Sequence, residues 1–343
     1  MDPARNAEPK QAEPARGSNA AAEPRAQGGA YRRTSGPRVV PPFPSRADLH
    51  AHSRRSDGVL EPRTLVDAAA AVGVRLLALA DHDTLAGVRE LRAEAADPLT
   101  AKALPIPLEL IPAVEINSIA TGIDCLWEGE LHILGLGVDP DDDEFEATLE
   151  RQRRARAERI RSMVKRLREL GLAIDEESPA LRVQPGGSAG RPQVARALVE
   201  AGYAQSVDDA MKRLIARGKP AYVPRQGIGP VEAIRAINAS GGIAALAHFS
   251  DAPTRRDLVR ELVDAGLRGL EVYYRAFDVD TVEGMRAFAD EMRLLPSGGS
   301  DYHGDGETYA AAHAEIFVPD EAALGILGAL GRPTERFERA ADR

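Results

Sequence analysis

The sequence is poor in several residue types and patterns that would each indicate a class of protein. Its 343 residues include one cysteine, one tryptophan and 7 histidines. A single cysteine excludes a disulfide scaffold and a cysteine-rich zinc site, and it fits a reducing compartment, so we expect a cytoplasmic protein. No apolar run approaches the ~18 residues of a membrane span and the N-terminus lacks the apolar core of a signal peptide, so we expect no membrane association.

Basic residues are fewer than acidic residues. The chain carries 44 basic residues against 53 acidic ones, which gives a net charge of −9. A protein that coats duplex DNA would need the opposite balance, so duplex DNA is not an expected partner. Residues 1–45 are the exception, because they are net basic. They hold 8 of the 24 prolines and almost no branched apolar residues, which predicts a disordered tail.

Candidate strands alternate with helical stretches from Ala47 onwards. The candidate strands are Ala47–His50, Arg75–Ala80, Leu108–Ile116, Leu131–Gly137, Gly242–Ala247, Gly269–Tyr273 and Arg293–Pro296. The helical stretches include Pro62–Val72, Pro230–Ala239, Thr254–Ala265 and Val279–Met292. Two of these helices begin with proline, where its missing N–H costs nothing. The alternation predicts an α/β protein with mainly parallel strands.

The alternation stops between about Asp139 and Gly229, where a long charged helix and two shorter helices are expected instead. This stretch is predicted to be a helical insertion that caps the substrate site. The predicted organisation is a disordered tail (1–45), a first part of the α/β body (46–139), the insertion (140–229), a second part of the body (230–325) and a C-terminal tail (326–343).

Most of the histidines fall beside carboxylates at the ends of candidate strands. His50 and His52 are two residues apart in a strand, so both imidazoles can face one ion. The triplet Asp81-His82-Asp83 follows a buried apolar run, which is a costly place for three titratable groups unless something binds them. Taken alone, His132 fits an ordinary core or surface histidine, and Glu115 fits a solvated strand residue. Strand ends converge on one face of a parallel barrel, so the whole set predicts one polar site.

These residues carry a resemblance to a known family. The segments DLHAHS (48–53), SDG (56–58) and ADHDT (80–84) resemble the motifs of the polymerase and histidinol phosphatase (PHP) family of metal-dependent phosphoesterases. The segments VEI (114–116), AH (247–248) and GSDYH (299–303) are similar to its later motifs, in the same order. Within the insertion, GRP (190–192) and GKPAYVP (218–224) resemble the subgroup of nucleoside 3',5'-bisphosphate phosphatases and a 5'-3' exoribonuclease. Phe249 and Gln193 depart from the residues common at their positions.

The resemblance implies a distorted (β/α)7 barrel, similar to a TIM barrel, that holds up to three divalent ions. It assigns the first ion to His50, His52, Glu115 and Asp301, a second ion to Glu115, His132 and His248, and a third ion to Asp57, His82 and His303. Imidazole and carboxylate ligands without thiolate suit Mn²⁺, Zn²⁺ or Fe²⁺, and Mn²⁺ is the first expectation. Two close cations would lower the pKa of a bridging water, and the resulting hydroxide would attack phosphorus in line with the leaving oxygen.

Further residues are candidates for roles around this metal site. Asp81 and Asp83 are the expected catalytic residues, which would orient ligating imidazoles, with proton transfer as an alternative for Asp83. Glu271 is a further candidate for orienting a ligand. Arg191, Lys219 and Arg225 are the candidate substrate-binding residues, which would hold a second phosphate. Tyr222, Tyr273 and Tyr274 could stack on a base. The charged run Arg151–Arg156 is interpreted as a solvated helix face, Cys125 and Trp127 as loop residues, and His313 as lying outside the site.

The leading hypothesis is an enzyme that hydrolyses phosphate monoesters of nucleotides such as nucleoside 3',5'-bisphosphates. Trimming of short RNA from its 5' end and hydrolysis of histidinol phosphate are the alternative activities. A metal-stabilised binding module is the alternative that is not an enzyme. An amidohydrolase on a similar barrel would place a lysine between the metals, where Glu115 stands here. The sequence makes no prediction about oligomeric state.

Overall fold

The computed structural model describes residues 36–37, 44–96, 104–105, 108–119, 130–304 and 306–338. Nearly all of the predicted disordered tail (1–45) lies outside these residues, as do Cys125 and Trp127, so their interpretations stay predictions. Among the residues described, no helix has the length and apolar character needed to cross a membrane.

Seven strands in the described part of the chain form one sheet, and their order in space follows their order in the sequence. They are β1 (Ala47–Ala51), β2 (Leu76–Leu79), β3 (Glu109–Ile119), β4 (Glu130–Leu136), β5 (Ile243–Leu246), β6 (Gly269–Tyr274) and β7 (Leu295–Gly299). Strand β4 is antiparallel to both β3 and β5, and the other neighbours are parallel. The predicted mainly parallel sheet is confirmed, and the reversal of β4 is a feature that the sequence pattern did not reveal.

The sheet closes on itself between β1 and the residues that follow β7. The backbone N–H of Asp301 donates to the carbonyl of His50 at 2.7 Å, and the N–H of His52 donates to the carbonyl of Tyr302 at 3.0 Å. These bonds make the sheet an almost complete barrel, which confirms the predicted α/β barrel. They also fix the ends of β1 and β7 beside each other.

Helices surround the barrel and fill the connections between its strands. They are α1 (Pro62–Ala71), α2 (Ala86–Ala96), α3 (Asp143–Glu169), α4 (Arg191–Glu200), α5 (Val207–Ala210), α6 (Pro230–Ala239), α7 (Arg256–Asp264), α8 (Val279–Met292), α9 (Tyr309–His313), α10 (Asp320–Ala329) and α11 (Glu335–Glu338). Successive residues of a strand pack into two different apolar cores, because side chains alternate between the two faces of the sheet. In β3, Val114 and Ile116 pack with the core that includes the apolar faces of the helices, whereas Ala113 packs in the second apolar core.

The helices α3, α4 and α5, with a π-helical turn at Met211–Ile215, lie between β4 and α6. They have an apolar core of their own, in which Met163 and Leu167 of α3 pack with Val194 and Leu198 of α4. The first part of α3 is joined to the barrel instead, because Phe145 and Leu149 are buried in the apolar core that includes Val114 and Ile116. The insertion thus has a core of its own and is also anchored to the barrel by apolar packing at the start of α3.

The described part of the C-terminal segment (326–338) is packed against the barrel, so the predicted tail from residue 326 is wrong for these residues. Helix α10 continues to Ala329, and Ile326 and Leu327 are fully buried in the same core as Ala113. Phe337 in α11 is 2% exposed and lies under the Arg46 guanidinium, 4.5 Å from the ring centre. The apolar residues of this segment are needed to cover the barrel, which holds it in place.

Replacing Phe337 by alanine should lower the free energy of unfolding by about 3 kcal/mol, because a large buried ring and its cation–π contact are lost. Urea denaturation of the purified variant measures this change. The control is Val183→Ala, since Val183 is 41% exposed, and it should change the free energy of unfolding by less than about 0.5 kcal/mol. Equal values for the two variants would show that burial of Phe337 does not stabilise the fold.

Candidate metal centre and adjoining arginine pocket

The side chains predicted to bind metal converge at one end of the barrel. These residues lie on or follow six of the described strands, and five of these strands run in the same direction and bring their residues there in the same way. His50 lies near the end of β1, His82 follows β2, His248 follows β5 and Asp301 follows β7. The observed convergence is the arrangement expected for the carboxyl ends of parallel strands.

His132 reaches this end of the barrel because β4 runs antiparallel to both of its neighbours. Glu115 lies near the end of β3, and the antiparallel register places His132, near the start of β4, opposite Asn117. An early position in a reversed strand is equivalent in space to a late position in its neighbour. The reversal therefore explains how a histidine at the beginning of a strand joins the other ligands.

The first ligand group consists of His50, His52, Glu115 and Asp301, and it is entirely buried. The Nε2 atoms of the two histidines are 3.1 Å apart. They lie 3.4 and 3.0 Å from an oxygen of Asp301 and 3.5 and 3.4 Å from Oε2 of Glu115. Ligands about 2.1 Å from a tetrahedral ion are about 3.4 Å apart, so these atoms are spaced to hold one ion.

Two further groups adjoin the first one. Glu115 also meets His132 and His248, with its Oε1 at 2.7 Å from Nδ1 and 2.9 Å from Nε2 respectively. Asp57 lies 3.5 Å from Nε2 of His82 and 3.3 Å from Nε2 of His303. Glu115 is therefore the link between the first and the second group.

His52 departs from its predicted assignment in one respect. The resemblance assigns it to the first ion alone, but its ligand atom lies within 4.8 Å of those of both the first group and the third. Its ring stacks on that of His303 with centroids 4.2 Å apart. The three groups are thus continuous, and His52 joins the first to the third.

Unpartnered oxygen atoms support the interpretation of these groups as ion sites. Asp57 Oδ1, Glu115 Oε2 and Asp301 Oδ1 are buried and accept no well-directed hydrogen bond from the described residues. Imidazole nitrogens lie near them without that geometry, such as Nδ1 of His82 at 2.7 Å from Glu115 Oε2. A buried carboxylate oxygen without a donor is costly unless a cation satisfies it. The spacing, the burial and the oxygen and imidazole donors therefore fit divalent metal ions.

Neighbouring groups hold the imidazoles with the correct nitrogen facing inwards. His50 Nδ1 lies 2.9 Å from Glu271, whose other oxygen accepts the backbone N–H of His248 at 2.7 Å. His303 Nδ1 lies 2.9 Å from the carbonyl of Asp301. Because these oxygens can only accept, Nδ1 carries the proton and Nε2 is left to bind a metal. The structure thus supports the predicted orienting role of Glu271.

The carboxylates of the centre are held ionised. Burial alone would raise the pKa of Glu115, but the surrounding imidazoles, with His132 foremost, hold it well below its usual value. Burial lowers the pKa of His82 to about 4, so this imidazole is neutral and available as a ligand. Burial also opposes protonation of His303, but Asp57 and Asp301 outweigh it and raise its pKa to about 9. A cation at this place would replace the proton that these carboxylates attract.

Asp48 joins β1 to the segment that follows β7, beneath the metal centre, a role that was not predicted from the sequence. Its fully buried carboxylate accepts the N–H and hydroxyl of Ser300 at 2.9 and 2.6 Å, the N–H of His50 at 3.2 Å and the hydroxyl of Tyr309 at 2.7 Å. It therefore joins β1 to β7 at the point where both present ligands.

Replacing Asp48 by asparagine should lower the free energy of unfolding by about 3 kcal/mol. The amide nitrogen of asparagine is a donor, and it would face N–H and O–H groups that also need an acceptor. Thermal or urea unfolding of the metal-free protein measures this change. Tyr309→Phe is the matched control, because it removes one of the four donors and leaves the carboxylate, and it should cost about 1 kcal/mol. A smaller effect for Asp48→Asn than for Tyr309→Phe would contradict this role.

The prediction that Asp81 orients an imidazole is wrong, because its hydrogen-bond partners are Ser53 and Ser56. Its carboxylate accepts the N–H and hydroxyl of Ser53 at 2.7 and 2.6 Å and the hydroxyl of Ser56 at 2.7 Å. The described residues show no hydrogen bond from an imidazole to Asp81. It fixes instead the loop after β1, which carries the ligand Asp57.

Asp83 likewise orients no imidazole, because its partners are two arginines. Its Oδ2 accepts Nε of Arg156 at 2.5 Å and Nη2 of Arg225 at 2.9 Å. Asp83 also has a positive φ of 51°, a conformation shared by His248 and Asp301 in this centre. Such strain occurs where surrounding contacts determine a functional conformation. Asp83 thus connects the barrel to the insertion.

A cavity of about 580 Å³, here called the arginine pocket, opens beside the metal centre and beneath the insertion. Its lining includes the metal-centre residues Asp57, His82 and His132 and the cations Arg156, Arg159, Arg191, Arg225 and Lys212. Arg156 and Arg159 share the inner face of α3 with buried Gln152, as spacings of three and four residues require. The interpretation of Arg151–Arg156 as a solvated face is therefore wrong for Arg156, whose side chain is 6% exposed.

Positive charge exceeds negative charge in this pocket. Five cations line it, and the carboxylates in its lining are Asp57 and Asp208. Two further carboxylates lie beside the arginines: Glu130 is 3.7 Å from Arg159 and 4.0 Å from Arg191, and Asp83 is 2.9 Å from Arg225. Burial lowers the pKa of Arg225 to about 9, to which repulsion by Arg156 contributes. The Nη2 atoms of Arg156 and Arg159 and Nε of Arg225 are buried donors with no acceptor among the described residues. The pocket is thus suited to an anion with several oxygens.

Three of the sequence-predicted substrate contacts take different positions. Lys219 is exposed and outside the lining of the pocket, which contradicts its predicted role. Tyr274 is buried and its hydroxyl donates to Asp301 at 3.2 Å, so it supports a ligand and cannot stack on a base. Tyr273 is partly buried and packs against the apolar cores. Arg191 and Arg225 do line the pocket, and Tyr222 lies beside Arg159, 5.6 Å from the guanidinium carbon to the ring centre.

Comparison with known proteins identifies similar chains. The sequence is 34% identical over 268 residues to the 3',5'-nucleoside bisphosphate phosphatase of Chromobacterium violaceum, which covers 76% of this chain and 88% of that one. It is 36% identical over 265 residues to the 5'-3' exoribonuclease Rnm of Salmonella typhimurium, which covers 75% and 84%. The fold is similar to that of a Bifidobacterium adolescentis protein described as a metal-dependent phosphoesterase, with a TM-score of 0.67, 30% identity and coverage of 83% and 96%.

No protein-family model matches the chain. The assignment to a family depends instead on relatives that match over most of their length, and these are hydrolases of phosphate esters. Their hydrolase activity also argues against the alternative that the chain is a metal-stabilised binding module that is not an enzyme. The ligand groups are positioned to bind metals, as the resemblance implies. The chain therefore belongs to the PHP family of metal-dependent phosphoesterases and is a hydrolase of phosphate esters.

Proposed function

We propose that the protein hydrolyses a phosphate monoester of a nucleotide that carries a second phosphate, with nucleoside 3',5'-bisphosphates as the type of substrate. The observation that supports this most strongly is the arginine pocket beside the metal centre. One phosphate would lie at the metal centre, and the other would accept the buried donors of Arg156, Arg159 and Arg225. The relative from C. violaceum, whose name states this activity, supports the same substrate.

The nine residues would hold up to three divalent ions in the groups described above, and Mn²⁺ is our first choice, with Zn²⁺ or Fe²⁺ as alternatives. Ions bound there would supply a water of lowered pKa and neutralise the charge that develops on the phosphoryl oxygens. Glu271 and the carbonyl of Asp301 would keep the ligating imidazoles in the required tautomer.

The residues of the insertion would orient the substrate. A phosphate held by Arg156 and Arg225 fixes the nucleotide at a point remote from the bond that breaks, so binding energy there places the second phosphate at the metal centre. Asp83 would hold both arginines in position, since its carboxylate meets both guanidinium groups. Arg196 would help to place the ligand loop, because its Nη2 donates to the carbonyl of Asp57 at 2.7 Å.

Incubation of the purified protein and Mn²⁺ with three compounds tests this proposal. Adenosine 3',5'-bisphosphate should be hydrolysed with the highest kcat/KM and should release inorganic phosphate. Histidinol phosphate, which has no second phosphate for the arginine pocket, should be hydrolysed at least about 10²-fold less efficiently, a loss of about 3 kcal/mol. Equal turnover of the two compounds, or no turnover of either, would refute the proposal.

A short RNA with a 5'-phosphate is the third compound, because a second function has support of its own. The similarity to an exoribonuclease is as extensive as the similarity to the phosphatase. A 5'-terminal nucleotide presents the arginine pocket with the same 5'-phosphate. Release of 5'-mononucleotides from this RNA would support exonucleolytic activity.

A further inference from the structure

The insertion holds the backbone of the loop that follows β1 through two side chains of α4. The carbonyl of Ser56 accepts Nε2 of Gln193 at 2.6 Å, and the carbonyl of Asp57 accepts Nη2 of Arg196 at 2.7 Å. These two carbonyls belong to the peptide groups on either side of the Cα atom of Asp57. The hydrogen bonds therefore fix the direction of a side chain that belongs to the third ligand group.

The contact continues along the segment that leads into α4. The backbone N–H of Ser188 donates to the carbonyl of Arg55 at 2.8 Å, so three consecutive carbonyls of the loop accept hydrogen bonds from the insertion. The carbonyl of Gly186 accepts the hydroxyl of Thr84 at 2.6 Å, and Thr84 follows closely after the ligand His82. Residues 186–196, here called the docking segment, thus contact the chain beside two members of the third ligand group.

Gly190 allows the docking segment to approach the ligand itself. A Cβ atom at this position would lie 3.0 Å from Oδ2 of Asp57 and 3.1 Å from Oε1 of Gln193, which is closer than most Cβ contacts in proteins. The N–H of Gly190 donates to the same Oε1 at 2.9 Å. The amide group of Gln193 therefore joins its own segment to the ligand loop, and glycine leaves room for this close contact.

Asp57 is the ligand that the barrel positions least directly. It lies farther from the end of a strand than any other residue of the three ligand groups. Asp81 fixes the earlier part of the loop through Ser53 and the hydroxyl of Ser56, and Asp57 lies beyond these bonds. The position of the Asp57 carboxylate therefore depends on the docking segment.

We propose that the docking segment sets the affinity of the third ligand group for its ion, with Gln193 and Arg196 as positioning residues. Hydrogen bonds that orient ligating residues typically change metal affinity by about 10–100-fold. The docking segment also contributes Gly190, Arg191 and Pro192 to the lining of the arginine pocket. One position of the insertion therefore forms this pocket and completes the third ligand group.

Titration of the purified protein with Mn²⁺ in the absence of substrate tests the inference, and equilibrium dialysis gives the dissociation constant of each ion. Gln193→Met with Arg196→Met removes both side-chain donors. It should raise the dissociation constant of one ion by about tenfold or more and leave the others within about twofold of wild type. Unchanged constants, or an equal rise for every ion, would overturn the inference. Thermal unfolding verifies the fold, and Gln193→Met alone should show a smaller rise in the same constant.

The variant Asp57→Asn identifies the ion concerned, because it weakens the third ligand group directly. Adding Gln193→Met and Arg196→Met to this variant should change the dissociation constants of the other ions by less than about twofold. A tenfold rise in one of those constants would show that the docking segment acts on another group, which would overturn the inference.

Gln152→Met is the matched control, because Gln152 is 2% exposed and also connects the insertion to the barrel. Its Nε2 donates to the carbonyl of Asn117 at 3.2 Å, outside the loop that carries Asp57. This variant should keep every dissociation constant within about twofold of wild type. A loss of affinity equal to that of the Gln193 and Arg196 variant would overturn the inference.

The rate of hydrolysis gives a second readout. In the Gln193→Met, Arg196→Met variant, the Mn²⁺ concentration for half-maximal hydrolysis of adenosine 3',5'-bisphosphate should rise about tenfold, whereas kcat at saturating Mn²⁺ should stay within about threefold of wild type. A lower kcat with an unchanged dependence on Mn²⁺ would overturn the inference. Absence of turnover by the wild-type protein would refute the proposed function alone, because the binding measurements use no substrate.

Discussion

Replacing His50 and His52 together by alanine should reduce kcat/KM for a phosphate ester by about 10³-fold or more while the barrel stays folded. The two Nε2 atoms are 3.1 Å apart and supply half of the first ligand group. Without them, Glu115 and Asp301 are left to hold an ion alone. Loss of the ion removes several kcal/mol of stabilisation of the transition state, and about 4 kcal/mol corresponds to 10³-fold.

Elemental analysis of the purified variant, together with the rate of hydrolysis, measures this effect. The variant should contain at least one ion per chain fewer than the wild type. His313→Ala is the matched control, because His313 is equally buried but bonds the carbonyl of Ser45 at 2.9 Å and lies outside the ligand groups. This control should keep its metal and its turnover. Full activity in the double variant would contradict the assignment of the first group.

Replacing Arg225 by methionine should reduce kcat/KM for adenosine 3',5'-bisphosphate by about 10²-fold. Its side chain is 5% exposed, and its Nε is a buried donor with no acceptor among the described residues. A charged hydrogen bond to the second phosphate is worth about 3 kcal/mol, which gives the expected factor. Asp83 keeps Arg156 as a partner in this variant, so the contact between insertion and barrel is retained.

The choice of substrate separates loss of binding from loss of structure. Adenosine 3'-monophosphate lacks the 5'-phosphate, so its hydrolysis should fall by less than about threefold in Arg225→Met. Lys219→Met removes a cation outside the pocket lining and should leave both substrates within about twofold of wild type. An equal loss for both substrates in Arg225→Met would show that Arg225 only supports the fold.

The metal centre could be predicted from the sequence because several of its residues can be recognised from their immediate neighbours in the chain. His50 and His52 are spaced for one strand face, and His82 sits between two aspartates directly after a buried strand. Positions of this kind are expensive for polar groups in any fold, so their presence indicates a ligand. The mainly parallel sheet could be predicted for a similar reason, since each strand could be recognised by its own apolar run. Its closure into a (β/α)7 barrel was implied by the family resemblance.

The arginine pocket could be predicted only in part. Arg191 and Arg225 stand in glycine- and proline-containing segments, where a special role is visible. Arg156 and Arg159 stand instead in a uniformly charged helix, and nothing local distinguishes the arginines that face inwards from those that face solvent. Their burial depends on the packing of α3 over the barrel, which is a tertiary property.

The errors at Asp83 and at the C-terminus have the same origin. Asp83 lies beside His82 in sequence, which suggested a bond to an imidazole, but its carboxylate is directed at Arg156 and Arg225 from remote parts of the chain. The segment after residue 325 has only short helices, so its periodicity is weak. Phe337 is buried because the barrel beneath it needs a cover, which a local pattern does not show.

Anomalous X-ray scattering from crystals grown with Mn²⁺ is the measurement that tests the central claim most directly. We predict anomalous density between His50, His52, Glu115 and Asp301, between Glu115, His132 and His248, and between Asp57, His82 and His303. Such density would place the ions where the ligand atoms converge in the structure. Crystals of active protein with no anomalous density at these three groups would contradict the account.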